Sequence, residues 1–153
     1  LPNWGYSASG FDPEKTAIAS GRDMRISPKA AREICAAIRK MHLEEAKKFL
    51  EDVSLGKRAV PYKRHKKEVG HRRGIQGWYA GRYPKKASLH ILKVLTTLQA
   101  NAEEKGLDVE RLKIIHATTD RAMKVKKYIP RAFGRSSPYL QQLTHIQLVA
   151  SEI

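Results

Sequence analysis

The stretch Arg121-Ala-Met-Lys-Val-Lys-Lys-Tyr-Ile-Pro-Arg-Ala-Phe-Gly-Arg135 lies inside a run, Arg121 to Ser151, that contains no acidic residue. Arg121, Lys124, Lys126, Lys127, Arg131 and Arg135 repel one another in water. Such a segment calls for a partner of opposite sign, and RNA is the abundant polyanion of a cell. On either side apolar residues recur with period two. Leu112, Ile114 and His116 alternate with Lys113, Ile115 and Ala117, and Ile146 and Leu148 alternate with His145, Gln147 and Val149. Two strands therefore bracket the basic run. Arg121 to Leu143 is far longer than a hairpin turn of about two to five residues. The strands are predicted to continue outward and turn near Phe133-Gly134, with arms of about fifteen to twenty residues, or about 50 to 65 Å at ~3.3 Å per residue. A two-stranded ribbon of that length has no second layer to bury a face and is marginal in water, so it is expected to be mobile without an external scaffold. Its cations also discourage edge-to-edge aggregation.

Upstream, one short strand is predicted between Lys15 and Ile26. Ser27-Pro28 then reads as an N-cap followed by proline at the first helical position. That helix is expected to reach about Met41, with Ala31, Ile34, Cys35, Ile38 and Met41 inward. A second helix, about Leu43 to Val53, turns Leu43, Ala46, Phe49, Leu50 and Val53 inward and stops at Gly56. The longest helix starts at Pro84 and runs to about Lys105, with Ala87, Ile91, Val94, Leu95, Leu98 and Ala102 in one stripe. Leu1 to Pro13, rich in Gly, Ser, Pro and aromatics, is expected to be a surface segment or one that orders on binding.

Between the second and third helices, Lys57 to Lys86 holds eleven Lys and Arg against the single acid Glu68, interleaved with Tyr62, His65, His71, Trp78, Tyr79 and Tyr83 and broken by Gly70, Gly74, Gly77 and Gly81. In water this reads as a floppy loop. Against RNA it could become an irregular ribbon whose aromatics and arginines stack on unpaired bases. The plain alternative is a solvated surface loop, although loops of this length are usually functional or disordered.

With 153 residues and 30 Lys+Arg against 15 Asp+Glu, a formal charge of +15, the chain is one domain with an appendage, most stable when phosphates neutralise it. Cys35 is the single cysteine, so no intrachain disulfide forms; it sits among apolar neighbours and reads as a small core residue. No apolar run approaches the ~20 residues that span a bilayer, so no membrane insertion is expected, and the start at Leu1 shows no signal-peptide pattern and suggests a missing initiator methionine. The chain reads as cytosolic. His42, His65, His71, His90, His116 and His145 have no zinc-ligand spacing, and no phosphate loop or dinucleotide fingerprint occurs. Neither a metal nor a cofactor is expected. Glu44-Glu45, Glu51-Asp52 and Glu103-Glu104 read as solvated helix faces, so the chain is not expected to be an enzyme. Basic residues outside the helices favour a folded RNA, recognised by shape and phosphates, over a duplex groove. Charge alone leaves open a free-standing RNA chaperone or nucleic-acid-compacting protein.

Several separated motifs narrow the choice. Tyr128-Ile-Pro-Arg-Ala-Phe-Gly-Arg135 with Leu143-Thr-His-Ile-Gln-Leu-Val149 resembles the signature hairpin of a large-subunit ribosomal protein family, called L twenty-two in bacteria and L seventeen in eukaryotes. Met24-Arg-Ile-Ser-Pro-Lys-Ala-Ala31 is similar to its strand-to-helix entry, and Asn101-Ala-Glu-Glu-Lys-Gly-Leu107 to the end of its long helix. Val60 to His65, through Gly70-His71, and Gly77 to Pro84 are similar to an insertion of the archaeal and eukaryotic branch that bacterial members lack. The resemblance implies an α+β fold, three helices packed on a small three-stranded antiparallel sheet with a long extended β-hairpin, over a single domain, 1–153. It also implies a basic RNA-binding insertion at 57–86 and a hairpin at 119–146 with its tip near 131–137. The implied partners are large-subunit rRNA, neighbouring large-subunit proteins and the nascent polypeptide. The implied rRNA-binding residues are Arg22 and Arg25; Lys63, Arg64, Lys66, Lys67, His71, Arg72, Arg73, Arg82, Lys85 and Lys86 of the insertion; and Arg121, Lys124, Lys126, Lys127, Arg131, Arg135 and His145. Arg131, Ala132, Phe133, Gly134, Arg135 and Ser136 would form a tip lining the peptide exit tunnel, with Gly134 supplying the turn. The outgoing arm, with Tyr139-Leu-Gln-Gln142, is less basic than in bacterial members and is expected to make fewer phosphate contacts.

Overall fold

The computed structural model describes residues 5–153. Strand β1, Thr16–Met24, leads into helices α1, Pro28–Ile38, and α2, Leu43–Leu55. Two short strands follow, β2, Val60–Pro61, and β3, Gly81–Arg82; then helix α3, Lys85–Glu104, and the long strands β4, Leu112–Pro130, and β5, Ser136–Glu152. The main sheet is antiparallel in the order β1-β5-β4, and β2 pairs with β3 in a separate small sheet. The fold is α+β, with three helices on a three-stranded sheet and a long hairpin, as the resemblance implied.

The helices form where the apolar spacing placed them. All six stripe residues of α3, from Ala87 to Ala102, are buried, and with Ile34 and Ile38 of α1 and Leu43 and Leu50 of α2 they close over one face of the sheet. Asn101 ties α3 to the sheet by donating to the Ile18 carbonyl at 2.8 Å. Gly56 ends α2 in the left-handed region at φ 80°, which costs glycine little. Helix α1 ends at Ile38, earlier than expected, because Lys40 turns left-handed and the chain leaves along the sheet edge. There the Lys40 N–H donates to the Ile114 carbonyl, and the Ile114 N–H donates to the Met41 carbonyl at 3.0 Å. Met41 is thus an edge residue, only partly buried against the core.

Two expectations about strand phase change. An extra residue in β4 between Ile114 and His116 slips the register, so Leu112 and Ile114 point into the core, and Ala117 takes the next inward place. In β5 the whole run Leu143 to Ala150 is buried on both faces. The second face is covered by the N-terminal segment. Ser7 N–H donates to Gln147 Oε1 at 2.9 Å, the Gln147 amide donates to the Gly5 carbonyl at 3.3 Å, and the Phe11 and His116 rings lie 6.1 Å apart. Burial lowers the His116 pKa below the ordinary histidine value. Leu1 to Trp4 lie outside the described residues.

Cys35 is a core residue, 2% exposed, and burial pushes its thiol up to about 11. Among the described residues no helix is long and apolar enough to cross a membrane, and no cluster of three or more His, Cys, Asp or Glu side chains is arranged to hold a metal ion.

Candidate nucleic-acid interface

Cationic side chains gather in two places, the β4–β5 ribbon and the segment between α2 and α3. At ~3.3 Å per residue β4 is about 60 Å long, but its first half belongs to the body's sheet. The free-standing part begins near Arg121, and from there to Pro130 it projects roughly 30 Å. This is shorter than the arms expected from the sequence, since the strands serve both as sheet and as ribbon. No residue between Ala122 and Gln142 is buried, and Met123, Tyr128 and Leu140 are more than half exposed.

Two irregularities flank β5 where the ribbon leaves the body. β1 slips between Gly21 and Met24 against Ile146 to Thr144, and β4 slips between Arg121 and Lys124 against Thr144 to Gln142. Bulges bend and twist the strands that carry them, so the pair sets the ribbon's departure angle. Polar side chains brace both. The Asp23 N–H donates to His145 Nδ1 at 3.1 Å, and the Gln142 amide donates to the Ala122 carbonyl. His145 is 8% exposed and engaged in this brace, which sets it apart from the surface cations with which the sequence grouped it.

Along the ribbon, Lys127 stands opposite Tyr139 and Lys126 opposite Leu140, so cations are interleaved with exposed apolar groups on both faces. Gln141 accepts from Lys127 Nζ at 3.3 Å and from Arg25 at 3.1 Å, fastening Arg25 to the ribbon base. At the tip a short 3-10 turn, Ala132–Gly134, is closed by the Arg131 N–H donating to the Arg135 carbonyl at 2.8 Å. The turn falls at Phe133-Gly134 as expected, and both residues make it in the left-handed region: φ is 57° at Phe133 and 66° at Gly134. A bulky residue in the left-handed region is strained, and Phe133 is 95% exposed, so no packing repays that strain internally.

The second cationic region is more ordered than a loop read from charge alone. Tyr62 is buried, and its carbonyl accepts from Trp78 Nε1 at 2.8 Å. Trp78 stacks on Tyr79 with centroids 4.9 Å apart, Tyr79 meets the edge of His71, and Lys66 Nζ lies 5.4 Å from the Trp78 centroid. The Arg72 guanidinium lies over Tyr83 and that of Arg82 over Tyr62, each 5.9 Å from the centroid. The aromatics expected to await unpaired bases are therefore used largely for internal order. Lys63, Arg64, Lys66, Lys67, His71, Arg72, Arg73, Arg82, Lys85 and Lys86 all remain exposed around this small folded unit.

The two regions meet at the start of α1. One cleft there is bounded by Arg25, Ser27 and Tyr139 to Gln142 of the ribbon; another is bounded by Ser27, Lys29, Arg64, Lys67 and Arg82. Ser27 lines both. Sequence reasoning overlooked Lys29 and also Glu33, the single acid of α1. The signal for Glu33 was its spacing from Ala30 and Ala37, which places it beside the apolar stripe.

A small helical body that presents a braced, strained, cationic arm defines a class of scaffold built around an elongated polar partner. Consistent with that class, residues 19–151 match the model of the family described as "Ribosomal protein L22p/L17e", and the chain belongs to this family of structural, non-enzymatic ribosomal proteins. It is similar to the large ribosomal subunit protein uL22 of Archaeoglobus fulgidus, 57% identical over 145 residues that cover 95% of this chain and 94% of the relative. The uL22 of Methanocaldococcus jannaschii is 54% identical over 141 residues, covering 92% and 90% of the two chains. That of Cenarchaeum symbiosum is 47% identical over 152 residues, 99% of each.

Proposed function

We propose that this chain is a structural constituent of the large ribosomal subunit in the cytoplasm, where it binds large-subunit rRNA, supports assembly, and places its hairpin in the wall of the nascent-peptide exit tunnel. The observation that carries the reading is the ribbon itself. It projects roughly 30 Å beyond the body, has no acid in either arm from Arg121 onward, and buries no side chain between Ala122 and Gln142. Such a ribbon needs a polyanionic scaffold on both faces, and packed rRNA supplies one.

The residues divide by role. Lys124, Lys126 and Lys127 on the incoming arm, with Arg121, Arg22 and Arg25 near its base, neutralise phosphates along the ribbon. The tip, Arg131 to Ser136, faces the tunnel, and the solvent-facing Phe133 meets the nascent polypeptide or the tunnel's RNA wall. The unit at 57–86 holds a second RNA element, so the protein clamps separate parts of the rRNA during assembly. Neighbouring large-subunit proteins pack against the body. His145 braces the ribbon's base and is not among the contacts to RNA.

A direct test is sedimentation of tagged chain from a cell extract. The chain is expected in the large-subunit peak, and to stay there after a high-salt wash, because the threaded ribbon is topologically held. Release with the wash into the light fractions would overturn the reading.

A further inference from the structure

Glu33 is 2% exposed, yet its carboxylate reaches no lysine or arginine side chain among its hydrogen-bond partners. Its oxygens accept three consecutive backbone N–H groups: Lys63 to Oε2 at 3.0 Å, and Arg64 and His65 to Oε1 at 3.0 and 2.8 Å. A buried carboxylate is costly unless its lone pairs are satisfied, and here the satisfaction comes wholly from the backbone of the segment between α2 and α3. With the backbone of residues 63–65 bound to α1, the Arg64 and His65 side chains are left to project.

They project into the cleft beside α1, a cavity of about 540 Å³. Lys29 and Arg64 line it with Lys67, Arg82 and His65; Glu68 is the one carboxylate on the lining. Arg82 is itself held, donating to the Glu68 carbonyl at 3.3 Å with its guanidinium near the Tyr62 ring. Of the four cations around the cleft, Arg64 sits on a backbone that Glu33 fixes and Arg82 has its guanidinium held by the Glu68 carbonyl, so the site is assembled before any ligand arrives.

We infer that this cleft is a preformed seat for an RNA phosphodiester and that Glu33 is its positioning residue, acting as a latch that holds Arg64 and His65 over the cleft. The inference rests on the rRNA-binding reading above and locates one phosphate seat within it. RNA is favoured over an acidic peptide because the cationic surface extends past the cleft, through the exposed Lys63, Lys66 and Arg72 of the same segment and through Arg25, which bounds the neighbouring cleft with Ser27. A polyphosphate chain can follow that path, exchanging bound counterions for contacts as it goes. A preformed seat avoids the ordering cost that a floppy loop would incur on binding.

The test uses Glu33→Gln, which keeps the side chain's size but presents an NH2 group where the Lys63 N–H needs an acceptor. In the free protein, amides 63–65 are expected to exchange at least tenfold faster in Glu33→Gln, while those of Leu95 and Leu98 in α3 keep their protection. Affinity for in-vitro-transcribed large-subunit rRNA is expected to fall about five- to tenfold. Arg64→Ala with Lys67→Ala should lower it by a similar factor and leave amides 63–65 protected. Adding Glu33→Gln to that pair should cause little further loss. Unchanged exchange at 63–65, or losses that multiply in the triple variant, would overturn the latch. Displacement of the rRNA by polyglutamate as effectively as by unlabelled rRNA would overturn the phosphate seat. Should Glu33→Gln fail to fold, the Arg64/Lys67 pair still decides: full rRNA affinity in that variant contradicts the seat. If the wild-type chain bound large-subunit rRNA no better than transfer RNA, the rRNA-binding reading would fail by itself, and the exchange result would stand separately.

Discussion

Replacing Lys124 to Tyr139 with a tight turn is expected to leave a folded body and to weaken binding to large-subunit rRNA by on the order of 10³-fold at physiological salt. The body should survive because none of its core lies in the excised piece: the buried residues of β4 end at Ala117 and those of β5 begin at Leu143. Circular dichroism should show helix content unchanged and a Tm within a few degrees of the intact chain. The RNA loss follows from five cations, Lys124, Lys126, Lys127, Arg131 and Arg135. At ~0.9 counterion per phosphate contact, removing them should flatten the dependence of log affinity on log salt by about 4.5. The excised piece also carries Tyr128 and Phe133, both more than half exposed, so the shortened protein should be more soluble without RNA. If the body unfolds on excision, the ribbon belongs to the core after all. If rRNA affinity is unmoved, the cations serve solubility alone.

For the intact chain, the expected salt response is steep. If six to ten phosphates are neutralised between ribbon and insertion, affinity for bare large-subunit rRNA should drop about 10³- to 10⁵-fold between 50 and 200 mM salt. Filter binding across that range measures it. A flat response would mean that base stacking or apolar contact dominates, which the internal pairing of Trp78, Tyr79 and Tyr62 argues against. Against the surplus of +15, such binding relieves self-repulsion that the isolated protein must bear.

Much of this architecture was legible in the residue pattern. Helix α3 was, because its stripe from Ala87 to Ala102 keeps one period through a helix of 20 residues bounded by Pro84 and Gly106. The ribbon was legible because a basic run too long for a turn sits between two alternating segments. Where pattern failed, a local event had broken the period. The extra residue before His116 shifts the inward phase of β4 without any mark in composition, and Lys40 ends α1 early by adopting a conformation that the residue type does not advertise. The order of the insertion was hidden for a different reason. Its aromatics and arginines are the same residues whether they stack on bases or on one another, and Glu33 looks like a solvated helix charge until the backbone of residues 63–65 is seen to close on it. His145 was hidden likewise, since an alternating strand gives no sign that a bulge at Asp23 will occupy its ring.

On the proposed function the ribbon lies within folded rRNA with its tip near the path of the nascent chain. Tethering an iron chelate at the tip through Phe133→Cys tests it most directly, since Cys35 is buried with its thiol pushed up to about 11 and will not compete for the reagent. In reconstituted large subunits, hydroxyl radicals from that position should cut rRNA strands deep in the particle, around the exit tunnel, while the same chelate on Leu55 of α2 should give a separate set of cuts near the surface. Cuts at the tip that coincide with those from Leu55, or none at all, would show that the ribbon lies outside the RNA and would contradict the account.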